Sequence, residues 1–274
     1  MSNHSVAWSH ACVAIALLVV CGGLSYADWH VPVWEDDFND GDVTSPVSWT
    51  EFVGAGGGSS SLIDTGGGDY MYAHTAPYAS SHGAGWAGAY VAATPRDNQG
   101  LEGWAAPYDT AADGVGAMAM LRYNPTTIPS ASGGPGFGTG YALTMTYNAA
   151  GSMVASLIRL DDGGYADIGA EETISISGGG YSPLEFRFLI MEDELMARAW
   201  EAGTAEPDAW NWSGITDSTY AQGYGGVGTF TLNPGAAGQA DFDDVKYGTP
   251  EPTTMILMAT GLGAIALRRR RKKS

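Results

Sequence analysis

Seven aspartates gather towards the two ends of the chain: Asp36, Asp37, Asp40 and Asp42 near the start, Asp241, Asp243 and Asp244 near the finish. Carboxylate oxygens suit hard divalent cations, and Ca2+ takes about six to eight oxygen ligands, backbone carbonyls included. If the two ends lie together, Asp36, Asp241 and Asp243 are the first residues expected to hold a structural calcium. The competing reading is that these are edge-strand and turn aspartates, which discourage aggregation and bind nothing. Alternation sends Asp241 and Asp243 to one face of a strand, with Phe242 on the other and Val245 joining it after a shift.

Flat aromatic faces are the second chemistry. Sugar rings present C–H patches that stack on indole and phenol rings, while nearby carboxylates and amides orient hydroxyls. Trp86, Tyr90, Trp104, Tyr108, Tyr123, Trp210, Trp212, Tyr220 and Tyr224 supply such faces. Trp104, Trp210 and Trp212 are the preferred glycan-binding candidates, because their neighbours are turn-like rather than periodic. For any single aromatic, a place in the sandwich core is the commoner role.

Catalytic signals are weak. Glycoside hydrolysis needs two carboxylates flanking a bond, roughly 5 to 10 Å apart. Glu192, Asp193 and Glu194 are adjacent and read as a turn, while Glu102 and Glu185 stand alone. His74 and His82 have no companions spaced for zinc or a triad. Gly56–Gly58 and Gly66–Gly68 precede neither a helix nor a lysine, so phosphate binding is not expected. No catalytic residue is assigned, and a non-enzymatic protein is expected; the alternative is a glycoside hydrolase or lyase acting on matrix glycans.

The elements that must position these residues are strands. Tyr141, Leu143, Met145 and Tyr147 alternate onto one face, as do Leu184, Phe186, Phe188 and Ile190. Residues 152–160 form the next strand after Asn148–Gly151, and Asp161–Gly164 is a hairpin turn. Glu192–Glu194 turns the chain into Leu195–Trp200, read as a strand although its residues also favour helix. Weaker strands are expected at 69–75, 87–93, 116–123 and 225–232. Forty glycines and strands every 10 to 20 residues, without an amphipathic helix, predict an all-β antiparallel sandwich or jelly roll.

Residues 28–250 carry six cations, Arg96, Arg122, Arg159, Arg187, Arg198 and Lys246, against 29 acids, a balance of −23. That surface repels phosphate backbones and excludes nucleic acid as a partner. It favours solubility and tolerates divalent cations and neutral sugars. Cys12 and Cys21 are the only cysteines, and both precede Ala27. Ala11–Leu24 is apolar and Ser25-Tyr26-Ala27 follows, so residues 1–27 read as a signal peptide removed by signal peptidase. The mature chain then has no disulfide and no thiol catalyst, and its size lets it fold without either.

At the other end stand Thr249-Pro250-Glu251-Pro252, an uncharged span 255–267 and a basic cluster 268–273. The 13-residue span reaches roughly 20 Å as a helix, short against a hydrocarbon core of about 30 Å. The cations stop translocation and stay cytoplasmic. Together the three parts resemble the PEP-CTERM sorting signal. The resemblance implies an exosortase-type transpeptidase as a partner. It also implies a membrane-anchored precursor with a C-terminal helix, and a destination at the cell surface or in the extracellular matrix, often with exopolysaccharide. The sorting motif would be Pro250, Glu251 and Pro252 within a segment 249–274.

The intervening domain, 28–248, resembles concanavalin A-like, laminin-G-like jelly rolls from about residue 34 to 248. Trp34–Gly41 looks like their opening strand and Ala240–Tyr247 like their closing one, and Trp200–Trp210 resembles a strand that enters a loop ending at an aromatic. The resemblance implies that the first and last strands lie side by side. The laminarinase-like members carry Glu-x-Asp-x-x-Glu on one strand, which this sequence lacks.

Overall fold

The computed structural model describes residues 30–250 apart from 55–56, 79–83, 93–94, 109–113, 126–137, 148–151, 162–163 and 178–181. The expected signal peptide, Glu251, Pro252, the apolar span and the basic cluster lie outside the described residues. Sixteen strands make up the described chain. In order they are β1 (His30–Asp36), β2 (Trp49–Val53), β3 (Ser59–Gly66), β4 (Asp69–Ala76), β5 (Gly85–Val91) and β6 (Gln99–Tyr108). There follow β7 (Val115–Asn124), β8 (Thr139–Tyr147), β9 (Met153–Asp161), β10 (Gly164–Asp167) and β11 (Glu172–Ile174). The last five are β12 (Leu184–Met191), β13 (Glu194–Glu201), β14 (Trp212–Thr216), β15 (Tyr224–Thr231) and β16 (Gly238–Pro250).

Two eight-stranded antiparallel sheets face each other as a jelly-roll sandwich. The first runs β14-β13-β12-β6-β16-β4-β3, with β1 also on β16; the second runs β10-β9-β8-β7-β15-β5-β2, with β11 also on β9. The opening and closing strands do pair: Trp34 opposes Tyr247 and Asp36 opposes Val245. Glu192 and Asp193 form a two-residue turn between β12 and β13, with Met191 opposite Glu194. Glu194–Glu201 is therefore a strand, as the alternation before it indicates, despite its helix-favouring composition.

The inner faces follow the period of two. Tyr141, Leu143, Met145 and Tyr147 from the second sheet meet Leu184, Phe186, Phe188 and Ile190 from the first in one buried cluster. At roughly 25 cal/mol per Å2 of apolar surface removed from water, such rows supply most of the drive for stacking the sheets. In β16, Ala240 and Phe242 face inward, and so do Val245 and Tyr247. The change of parity is a bulge between Asp243 and Lys246, where Asp244 takes a positive φ of 49°. One extra residue there keeps apolar side chains inside on both halves of a long strand and leaves Asp243 and Lys246 outside.

Candidate functional site

The bulge aligns charged and aromatic side chains on the outer face of the first sheet. Arg198, Arg187, Glu102 and Lys246 are register partners in turn across β13, β12, β6 and β16, and Glu35 on β1 continues the row. The neighbouring row is Trp200, Glu185, Trp104 and Asp243. Between them lies a groove of about 320 Å3, lined by Glu102, Trp104, Glu185, Arg187, Trp200, Glu206, Asp244 and Lys246.

Ion pairs lock the floor. Arg187 bridges Glu102 at 2.8 Å and Glu206 at 3.1 Å, and Arg198 also pairs with Glu206. The Arg198 guanidinium lies 4.5 Å from the Trp210 ring centre and 5.9 Å from that of Trp200. Lys246 bridges Glu35 at 2.9 Å, and this contact pushes the lysine pKa up. Glu185 accepts the Gly203 N–H at 3.0 Å, which ties the loop after β13 to the sheet. The Trp200 indole N–H is buried and has no hydrogen-bond partner among the described residues. The result is a fixed polar floor with the half-buried Trp104 and Trp210 available at its side.

The expected site residues divide. Trp104 lines the groove, and Trp210 stacks on Arg198, which pairs with the lining residue Glu206. Trp212 belongs to the core instead: it is 4% exposed and donates from Nε1 to the Ala170 carbonyl at 2.7 Å. Its polar neighbours suggest a loop, but it opens β14 facing inward. Asp36 is also structural. It is buried, accepting the Phe38 N–H at 2.9 Å and the Trp49 indole N–H at 2.7 Å, so it closes the turn after β1 and anchors a core indole. Burial raises its pKa despite both bonds.

Asp241 is 1% exposed on β16, opposite Ala73 and Ala106. Asp243 lies further along the same strand, half-buried, and accepts the Asp244 N–H at 2.8 Å. Asp36, Asp241 and Asp243 thus do not converge. Among the described residues, no group of three or more His, Cys, Asp or Glu side chains is placed to hold a metal ion. Asp241 and Asp243 alternate with the inward-facing Ala240 and Phe242 ahead of the bulge, whereas Asp36 stands opposite the inward-facing Val245 beyond it. Glu102 and Glu185, isolated in the sequence, do meet in the groove, because β6 and β12 are neighbours.

A second groove, about 380 Å3, runs over the outer face of the other sheet past Met118, Thr144, Val154, Ile158, Tyr165 and Phe230. Its walls are mainly methyl and methylene, and Thr144 and Thr146 already donate to the Ser156 and Val154 carbonyls. On the same sheet, Tyr90 contacts Tyr123 and Tyr224 in an aromatic cluster, and Trp86 is buried.

Comparison with known proteins identifies the tail. A PEP-CTERM protein-sorting motif matches residues 249–271. The chain carries this motif, which indicates a secreted protein whose C-terminal anchor is processed by exosortase. No curated protein matches the chain. Among solved structures, xylan β-1,4-xylosidase from Bacillus halodurans is 12% identical with a TM-score of 0.45, over 69% of this chain and 34% of that one. This chain thus spans about a third of that enzyme. A glycoside hydrolase family 16 endo-glucanase from Bacteroides ovatus is 11% identical with a TM-score of 0.48, over 78% and 99%. The VIP36 exoplasmic/lumenal domain, in a Ca2+/Man3GlcNAc-bound form, is 11% identical with a TM-score of 0.48, over 76% and 86%.

Proposed function

We propose that this protein is a non-enzymatic component of the cell surface or extracellular matrix that binds polysaccharide along the outer face of its first sheet. The observation that carries the reading is the groove beside Trp104, lined by the Glu102–Arg187–Glu206 ion pairs, with Arg198 bonded in turn to Glu206. An aromatic face beside a rigid row of donors and acceptors meets both needs of a sugar ring, stacking and hydroxyl orientation. The groove is open along the sheet, which suits an extended chain. Carboxylates held in salt bridges serve as acceptors without having to move a proton.

Titration with soluble neutral and acidic polysaccharides tests this. Trp104→Ala weakens binding about tenfold, the loss of one good stacking contact. A smaller loss follows Trp210→Ala. Equal binding by Trp104→Ala and the parent protein sinks the reading. Glu102 and Glu185 are diagonal neighbours on adjacent strands, a relation with about 7–8 Å between residues. That range overlaps the spacing of inverting hydrolases. The same titrations are therefore assayed for reducing ends. Turnover that disappears in Glu102→Gln or Glu185→Gln replaces binding with hydrolysis.

A further inference from the structure

The sorting motif and the fold overlap. β16 continues to Pro250, whereas the motif begins at Thr249. Backbone register places Thr249 opposite Val31 and Pro250 opposite His30. On the other side of β16, the ladder to β6 ends where Gly248 meets Gly100. Arg96 takes over at that point, its Nη1 donating to Thr249 Oγ1 at 2.9 Å. Arg96 is itself fixed by reciprocal backbone bonds with Gly223 at 3.1 and 3.2 Å. The first two motif residues are thus held by a strand on one flank, and Thr249 also by a side chain on the other.

Little chain remains between this clasp and the apolar span that begins at Met255. The four residues 251–254 reach at most about 14 Å when fully extended. An enzyme that reads Pro250-Glu251-Pro252 must work within that gap. A peptide bound in extended form uses its backbone N–H and C=O groups for recognition. Thr249 and Pro250 lie in register with Val31 and His30 of β1, so the backbone of this segment is covered on that flank. Releasing residues 248–250 lengthens the free chain by about 10 Å and exposes that backbone.

We propose that the terminal pairing of β1 with β16, latched by Arg96, gates sorting. The exosortase-type enzyme acts on the opened form, in which Gly248–Pro250 have left β1. This rests on the sorting-motif match and is independent of the polysaccharide reading. The processing rate then scales with the open fraction. Removing one hydrogen bond of ordinary strength raises that fraction about fivefold.

The test is a pulse-chase of the full precursor in cells that contain its sorting enzyme, with the mature C-terminus followed by mass spectrometry. Arg96→Ala is processed about fivefold faster than the parent. A six-residue Gly/Ser insertion between Gly248 and Thr249, which frees an intact motif from the sheet, is processed at least as fast as Arg96→Ala. A Val31→Cys/Thr249→Cys pair stalls when oxidised and resumes on reduction, whereas Thr249→Cys alone is processed. Rates for Arg96→Ala and the insertion no greater than the parent's overturn the clasp. So does normal processing of the oxidised pair. Undiminished processing of Pro252→Ala would count instead against the motif reading.

Discussion

Asp243 and His74 titrate in opposite senses, and each follows from where a strand puts it. Burial pushes the Asp243 carboxyl up to about 6, and Asp244, Asp69 and Asp37 add repulsion, against the one N–H it accepts from Asp244. The unfolded value is near 3.9. Between about pH 4 and 6 the folded state therefore holds this proton more tightly than the unfolded chain. Stability from this group is present at low pH and lost as pH rises through that window. Asp243→Asn keeps an acceptor for Asp244 and removes the charge. Allowing for solvent screening of a half-exposed group, the gain at pH 7 is about 1 kcal/mol, or a rise of roughly 2–4 °C in Tm. At pH 4 the variant and parent melt together; a difference of equal size at both pH values sinks the assignment. His74 behaves the other way. It is fully buried, its Nδ1 is 2.8 Å from Ser60 Oγ, and Tyr72 and Phe242 meet its ring edge-on. Burial pushes its pKa down to about 3. As pH falls below about 6.5 the unfolded chain takes the proton first, so stability drops by up to about 1.4 kcal/mol per pH unit. His74→Phe keeps an aromatic ring in place and flattens that slope in urea midpoints measured between pH 6.5 and 4. An unchanged slope places the proton elsewhere.

Strands set these environments, and a bulge in β7 does as much for stability as the one in β16 does for the groove. Arg122 has φ 49° at the β7 bulge and is 1% exposed. It donates to the Asp97 and Tyr220 carbonyls at 2.9 and 2.7 Å, and to the Glu192 carbonyl, while its own N–H goes to Gln99 Oε1 at 2.8 Å. One side chain thereby gathers three connections at one end of the sandwich. Gly223, which pairs with Arg96, lies against it: a Cβ there would meet the Arg122 carbonyl carbon at 2.2 Å. Arg122→Met strands three carbonyls and costs about 3 kcal/mol, seen as a Tm lower by roughly 6–12 °C. A fall of under 2 °C would show that water replaces the guanidinium. Sequence alternation reveals β8, β9, β12 and β13, because each has an uninterrupted apolar face. It does not reveal β6, where Gly100, Gly103 and Pro107 break the pattern, although β6 sits between β12 and β16. The groove depends on that strand order. Glu102 and Trp104 are visibly two residues apart, but their partners Arg187 and Glu185 become neighbours only through long-range pairing. The bulge at Asp244 is equally hidden, since no glycine marks its positive φ.

At the scale of the whole molecule, charge dominates. The domain from 28 to 250 carries six cations and 29 acids, and four of the six cations already sit in ion pairs at Arg159, Arg187, Arg198 and Lys246. The tail holds the other six cations of the chain, so residues 28–250 are more acidic than the chain as a whole. Excess like charge opposes the compact state, and mobile ions screen that opposition over about 10 Å at 0.1 M salt. Salt should therefore raise the melting temperature of a 28–250 fragment by several degrees between 20 and 500 mM NaCl. The rise should be general, because the acids are spread across both termini and both sheets. Divalent cations separate general screening from a site. A true calcium site stabilises by RT ln(1 + [L]/Kd), saturates, and discriminates against Mg2+ by coordination number and ligand distance. Asp36 is committed to Trp49 and Phe38, and no three-ligand cluster is assembled among the described residues. The expected result is thus that Ca2+ and Mg2+ at equal ionic strength raise the melting temperature by the same amount, without saturation at micromolar levels. A calcium-specific increase that saturates and is removed by EDTA would point to a ligand set in which carbonyl oxygens join fewer than three carboxylates. It would restore the metal reading that the commitment of Asp36 to Phe38 and Trp49 argues against.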